Sequence, residues 1–156
     1  MSLFTMFAVP AMASAPAAAP PALTAAAPSA SAPMVAQLPL DWLGGTWRTD
    51  ALEMKCDQTK IGIECREEGR SKAMKGAEAN LTFATASAST LLTVALPMLP
   101  PSTFTEIARD GQSVTFETKT KVGVARLRFT RTGDTLKVER GNDKVWATTM
   151  TYARGA

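Results

Sequence analysis

Between Ser113 and Arg140 the chain repeats one rule: apolar and polar side chains alternate, and each run stops at turn-forming residues. SVTFET sets Val114 and Phe116 on one face. ARLRFT groups Leu127 with Phe129 and sends Arg126 and Arg128 the other way, and TLKVER opposes Leu136 and Val138 to Lys137 and Glu139. Successive side chains of a strand point to opposite sides, so each run predicts a half-buried strand. The joints are Asp110-Gly111, Thr132-Gly133-Asp134 and Gly141-Asn142-Asp143, residue types that supply the positive-φ positions of tight hairpins. Roughly four or five antiparallel strands, in sequence order, are predicted from Phe104 to Arg154.

The preceding segment follows the same pattern less cleanly. Leu81 and Phe83 alternate with threonine and alanine, and Leu92, Val94 and Leu96 continue after a Ser/Ala joint. No segment holds a 3.6-residue stripe over three turns. One helical turn is predicted at Pro39 to Leu43, because proline suits a first helical position. The fold class is therefore all-β, with about eight to ten short strands. A sheet of that many strands exposes sticky edges unless it closes, so a small antiparallel up-and-down β-barrel is expected.

The two cysteines fit this hairpin register. ALEMKCD and IGIECRE pair around a turn near Thr59 to Gly62, which sets Cys56 directly across from Cys65. Opposed cysteines in a hairpin meet disulfide geometry, and an oxidising compartment lets the bond form. Their spacing is not the C-x-x-C arrangement of a redox thiol pair, so a structural staple is expected.

No charged residue precedes Asp41. Residues 1–15 contain an apolar run, Leu3 to Met12, and the A-x-A-like Ala11-Met12-Ala13, the apolar region and cleavage site of a signal peptide without its positively charged start. Residues 16–37 are nearly all Ala, Pro and Ser. Repeated prolines and little apolar bulk predict a disordered linker. Residues 38–156 form the barrel domain, and export to the periplasm or the exterior is the expectation.

Where that linker ends, LDWLGGTWR places Gly45 and Trp47 at the start of the first strand, after the predicted helical turn. This resembles the G-x-W opening of the calycin superfamily (lipocalins, fatty-acid-binding proteins, avidins and nitrobindins) and of small bacterial calycin-like domains of unknown function. The resemblance implies that Gly45 lets the chain enter the sheet closely and that Trp47 plugs the closed end. A basic residue near the last strand commonly packs over that indole. Arg154, sharing a strand face with Trp146, Met150 and Tyr152, is the matching residue, in a cation–π contact of about 0.5 to 2 kcal/mol. The later T-D-Y-type motif of lipocalins is absent, and a chain without histidine cannot carry the haem ligand of nitrobindins.

The missing histidine also excludes a Ser-His-Asp triad and the commonest zinc sites, so no metal or cofactor is expected. A net charge of +3 without a basic stripe argues against nucleic acid. Glu64, Glu67, Glu68 and Glu106 are available acids, and Arg66 and Arg70 available anion-binding groups. They form no catalytic pattern, so the chain is read as non-catalytic. The expected function is binding of a small apolar molecule in the barrel, with Leu81, Phe83, Leu92, Val94, Phe116, Leu127, Phe129 and Tyr152 as candidate pocket walls, or as plain core. The alternative is a protein-binding module, resembling bacterial inhibitors of secreted metalloproteases, with the Ala/Pro segment as its arm and an envelope or secreted protein as partner. Stable membrane insertion is not expected. The apolar loop ALPMLPPST, Ala95 to Thr103, reads most plainly as a rigid loop packed over the core. A mouth-closing lid and a docking element for a membrane or partner are its other readings.

Overall fold

A computed structural model describes residues 39–86 and 89–156. The expected signal peptide at 1–15 and linker at 16–37 lie outside the described residues. Ten antiparallel strands follow one another: β1 (Gly45–Arg48), β2 (Leu52–Thr59), β3 (Gly62–Gly69), β4 (Glu78–Ala86), β5 (Ser89–Ala95), β6 (Ser102–Arg109), β7 (Ser113–Thr120), β8 (Gly123–Thr132), β9 (Thr135–Gly141) and β10 (Trp146–Arg154). Each pairs with the next, and β10 returns to β1 through Trp47–Arg154 and Arg48–Ala153, so the sheet closes into a barrel. The helical turn is a 3₁₀ turn at Asp41–Leu43, two residues later than the proline signal placed its start.

Alternation decides the core. Leu52, Met54 and Cys56 of β2, Phe83 of β4, Leu92 of β5, Val114 and Phe116 of β7, Phe129 of β8 and Leu136 of β9 are buried. Phe83, Phe116 and Phe129 meet edge to face or tilted, with ring centroids 5.3 to 6.2 Å apart. Such aromatic pairs contribute beyond their buried area. Cys56 lies opposite Cys65 in the β2–β3 ladder, with Cα atoms 4.0 Å apart, and the two form a disulfide. The short Cα separation is that of a narrow antiparallel pair, where side chains sit closest.

Two bulges correct the simple period-two reading. In β10, Thr148 faces Glu139 while Met150 faces Val138, so Thr149 is an extra residue, its hydroxyl donating to Val138 O at 3.0 Å. Parity reverses there. Trp146 consequently faces outward, not with Met150, Tyr152 and Arg154. It lies over Gly141, where a Cβ would come within 2.6 Å of the indole, and under the Arg128 guanidinium at 4.2 Å. In β6, Ile107 is the extra residue, and both Glu106 and Arg109 turn inward.

The joints hold where expected, but not all by the expected mechanism. Among the predicted positions only Gly133 takes a positive φ, 58°. At Asp110 and Asn142 the side chain replaces it: Asp110 Oδ1 accepts from Gln112 N, and Asn142 Oδ1 from Lys144 N and Val145 N. Asx side chains satisfy a turn's backbone in this way.

Candidate functional site

In a closed meander every second turn falls at the same end. The turns β2–β3, β6–β7 and β8–β9 share one end with the 3₁₀ turn, while β1–β2, β3–β4, β5–β6, β7–β8 and β9–β10 share the other. The first end is plugged. Leu43 and Trp47 are fully buried, and Trp47 Nε1 donates to Leu43 O at 2.7 Å. Arg154 lies 4.8 Å from the Trp47 ring and Arg131 5.9 Å, with Arg131 also reaching Trp42 O at 3.4 Å. Gly45 makes this stacking possible. Its φ is 108°, and a Cβ there would meet the Arg154 guanidinium at 2.8 Å. At the same end, Glu106 and Arg109 pair at 2.5 Å with less than a tenth of either side chain exposed, and Glu106 accepts from Thr90 N. A cleft of about 310 Å³ adjoins this cluster, running from the incoming Pro39, Leu40 and Asp41 to Ile63 and Phe83.

The opposite end is open. Inside its mouth a cavity of about 220 Å³ is walled by Val94, Leu96, Ser102, Phe104, Ala125 and Leu127, and Arg140 stands at its edge. Arg140 pairs with Leu127 across β8–β9, which fixes it on the inward face. It is exposed and enters no ion pair among the described residues. It also borders a second hollow between the β7–β8 and β9–β10 turns, with Val122, Val145 and Ala147. The site therefore combines an apolar floor with one unneutralised cation at the lip.

The sequence candidates divide between these regions. Phe83, Leu92, Phe116, Phe129 and Tyr152 are buried in the packed centre, and Leu81 is half-buried against it. Val94 and Leu127 line the cavity. Phe104, Ala125 and Arg140 join them unannounced, although Leu136, Val138 and Arg140 already alternate in the sequence. The loop Ala95 to Thr103 does not pack over the core: Leu96, Met98 and Leu99 are exposed.

Of the available acids, Glu64 is exposed on the outer wall, and Glu67, Glu68 and Glu106 are engaged. Glu67 points inward and accepts from the Tyr152 hydroxyl, whose ionisation is pushed above the ordinary tyrosine range by burial and by Glu67. Glu68 turns outward to Arg66, which also binds Glu78. Among the described residues, the Arg70 side chain donates to Thr49 O, at 3.4 Å. Glu139, buried on the outer wall, is held below the usual carboxylate range by hydrogen bonds from Arg128 and Lys137. No family model, curated protein or solved structure matches the chain.

Proposed function

We propose that this chain is an exported, non-catalytic barrel of calycin-like type that holds one small apolar molecule in its open mouth. The observation that carries the reading is the cavity between Val94, Phe104, Ala125 and Leu127, open to solvent and apolar at its base. Ligand pockets are concave and mostly apolar, with a few placed polar groups. Ser102 and Arg140 are such groups here, and an uncompensated guanidinium at the lip favours a ligand with an anionic or polar head. At about 220 Å³ the cavity lies below the roughly 300 Å³ at which drug-sized pockets begin, so the ligand is small. The Cys56–Cys65 bond supports export, because disulfides persist in oxidising compartments. The plugged end, with Gly45, Trp47 and Arg154 in one stack, supports calycin-like kinship.

Titration with anilinonaphthalene sulfonate, an apolar anion with a fluorescent response, tests the site. One saturable site is expected, removed by Ala125→Trp, which fills the cavity, and weakened about tenfold by Arg140→Gln, as for loss of one charge-assisted contact. Near-UV circular dichroism checks that the folded state persists. Probe binding untouched by Ala125→Trp would sink the proposal.

A further inference from the structure

The five turns at the open end carry Arg70, Lys72, Lys75, Lys121 and Lys144 against Asp50 and Asp143. The described turns and the incoming segment at the plugged end carry Lys60 against Asp41, Asp110 and Asp134. The open end is thus the basic one by its turns, whereas at the plugged end Lys60, Arg131 and Arg154 stand against the three aspartates. The basic end also presents Leu96, Met98, Leu99, Val122 and Val145, five of the seven large apolar side chains exposed among the described residues. Met98 is 102% exposed and Val122 97%. Met98 also has the single positive φ among described residues other than glycine, 62°, an unfavourable backbone state held in a loop that contains Pro97, Pro100 and Pro101.

We propose that the open end docks on an anionic lipid surface. Its apolar tips enter the headgroup boundary while the ring of lysines lies over lipid phosphates. Exposed apolar side chains set among cations bind such surfaces through buried area and charge together. Among the described residues, this end is the one that sets exposed apolar tips among several cations. The outer wall carries ion pairs such as Arg66–Glu78, Arg126–Glu117 and Arg128–Glu139, which do not suit a lipid-facing belt. A second copy docked open end to open end is disfavoured, because that pairing would bring like cations together. This proposal stands on the rim, independently of the cavity reading.

Flotation of the full chain with vesicles of phosphatidylcholine, with and without phosphatidylglycerol, tests it. Binding is expected to require phosphatidylglycerol and to be lost at high salt. The pair Lys121→Glu and Lys144→Glu should weaken it by at least about 25-fold, taking about fivefold for each cation near an anionic surface. The pair Met98→Ser and Leu99→Ser should weaken it about tenfold with an unchanged unfolding midpoint. Equal binding to both vesicle types, or binding insensitive to both pairs, would overturn the proposal. So would a concentration-dependent dimer abolished by the same substitutions, which would make a second copy the occupant. Neither pair lines the cavity wall, so anilinonaphthalene sulfonate titration of the same variants separates failure here from failure of the proposed function.

Discussion

The plugged end buries Trp42, Leu43 and Trp47, stacks Arg131 and Arg154 on an indole and encloses the Glu106–Arg109 pair, whereas the open end leaves Met98 and Val122 almost wholly in solvent. The contrast is not one of local backbone. Thr59-Lys60-Ile61-Gly62 at the plugged end and Thr120-Lys121-Val122-Gly123 at the open end form the same turn. In both, the threonine hydroxyl donates to the glycine carbonyl and accepts from the apolar residue's N–H. Yet Ile61 is tied through its carbonyl to Thr85 N and is about half exposed, while Val122 stands free. The comparison teaches that one turn geometry serves both ends, and that its surroundings decide whether the apolar residue is tied down or left in solvent.

Four variants would break or sharpen that division. The largest loss should come from Trp47→Ala, which empties a fully buried site and orphans Leu43 O and two guanidinium contacts. About 3 to 5 kcal/mol of unfolding free energy is expected to disappear in a denaturant titration. Glu106→Gln should cost about 3 kcal/mol, because it leaves Arg109 buried against a neutral partner. Removing the disulfide by Cys56→Ala with Cys65→Ala should cost about 2.5 kcal/mol for so short a loop, seen as a lower denaturation midpoint. At the open end, Met98→Ser should change stability by less than about 0.5 kcal/mol, as at exposed sites generally. A loss of several kcal/mol there would show that the loop is a packing element after all.

A smaller effect concerns pH, and its sign differs between two buried groups. The Glu139 carboxyl is held below its unfolded value, so its stabilisation is present above the unfolded range, near about pH 4.3, and is lost as pH falls through the folded value. The Tyr152 hydroxyl is held above its unfolded value. Its contribution is complete below about pH 10 and is lost as pH rises beyond. Stability measured against pH should therefore decline at both extremes. Glu139→Gln should flatten the acid limb and Tyr152→Phe the alkaline one, and a limb unaltered by its substitution would assign that decline elsewhere.

The fold was legible because its signal is periodic. The strands of the second half could be counted from alternation, and Cys56 could be set opposite Cys65 by counting back from one turn. What escaped was whatever a single inserted residue reverses. Ile107 carries Arg109 to the same inner face as Glu106, and Thr149 carries Trp146 to the outer wall, where it meets Arg128. No residue type announces a bulge, so parity errors pass unnoticed. The open mouth was less legible for another reason. Val94 and Leu127 read identically to Phe83 and Phe116, since lining a cavity and filling a core demand the same side chains. An inward cation does not mark the difference either, since Arg140 edges the cavity while Arg131, on the same parity of the neighbouring strand, packs at Trp47.

The seam between β1 and β10 also bears on how the molecule is made. Every other strand pairing joins neighbours in the sequence, so nine hairpin contacts are available as the chain emerges, and the Cys56–Cys65 bond belongs to an early one. Closure waits for Arg154 to reach Trp47. Long-range contacts repay their loop entropy last, so the barrel stays an open sheet with two bare edges until its final strand arrives. A chain cut short before β10 would keep nearly all its local structure and still be the form most exposed to aggregation and proteolysis. The last strand therefore acts as the lock that certifies a finished molecule.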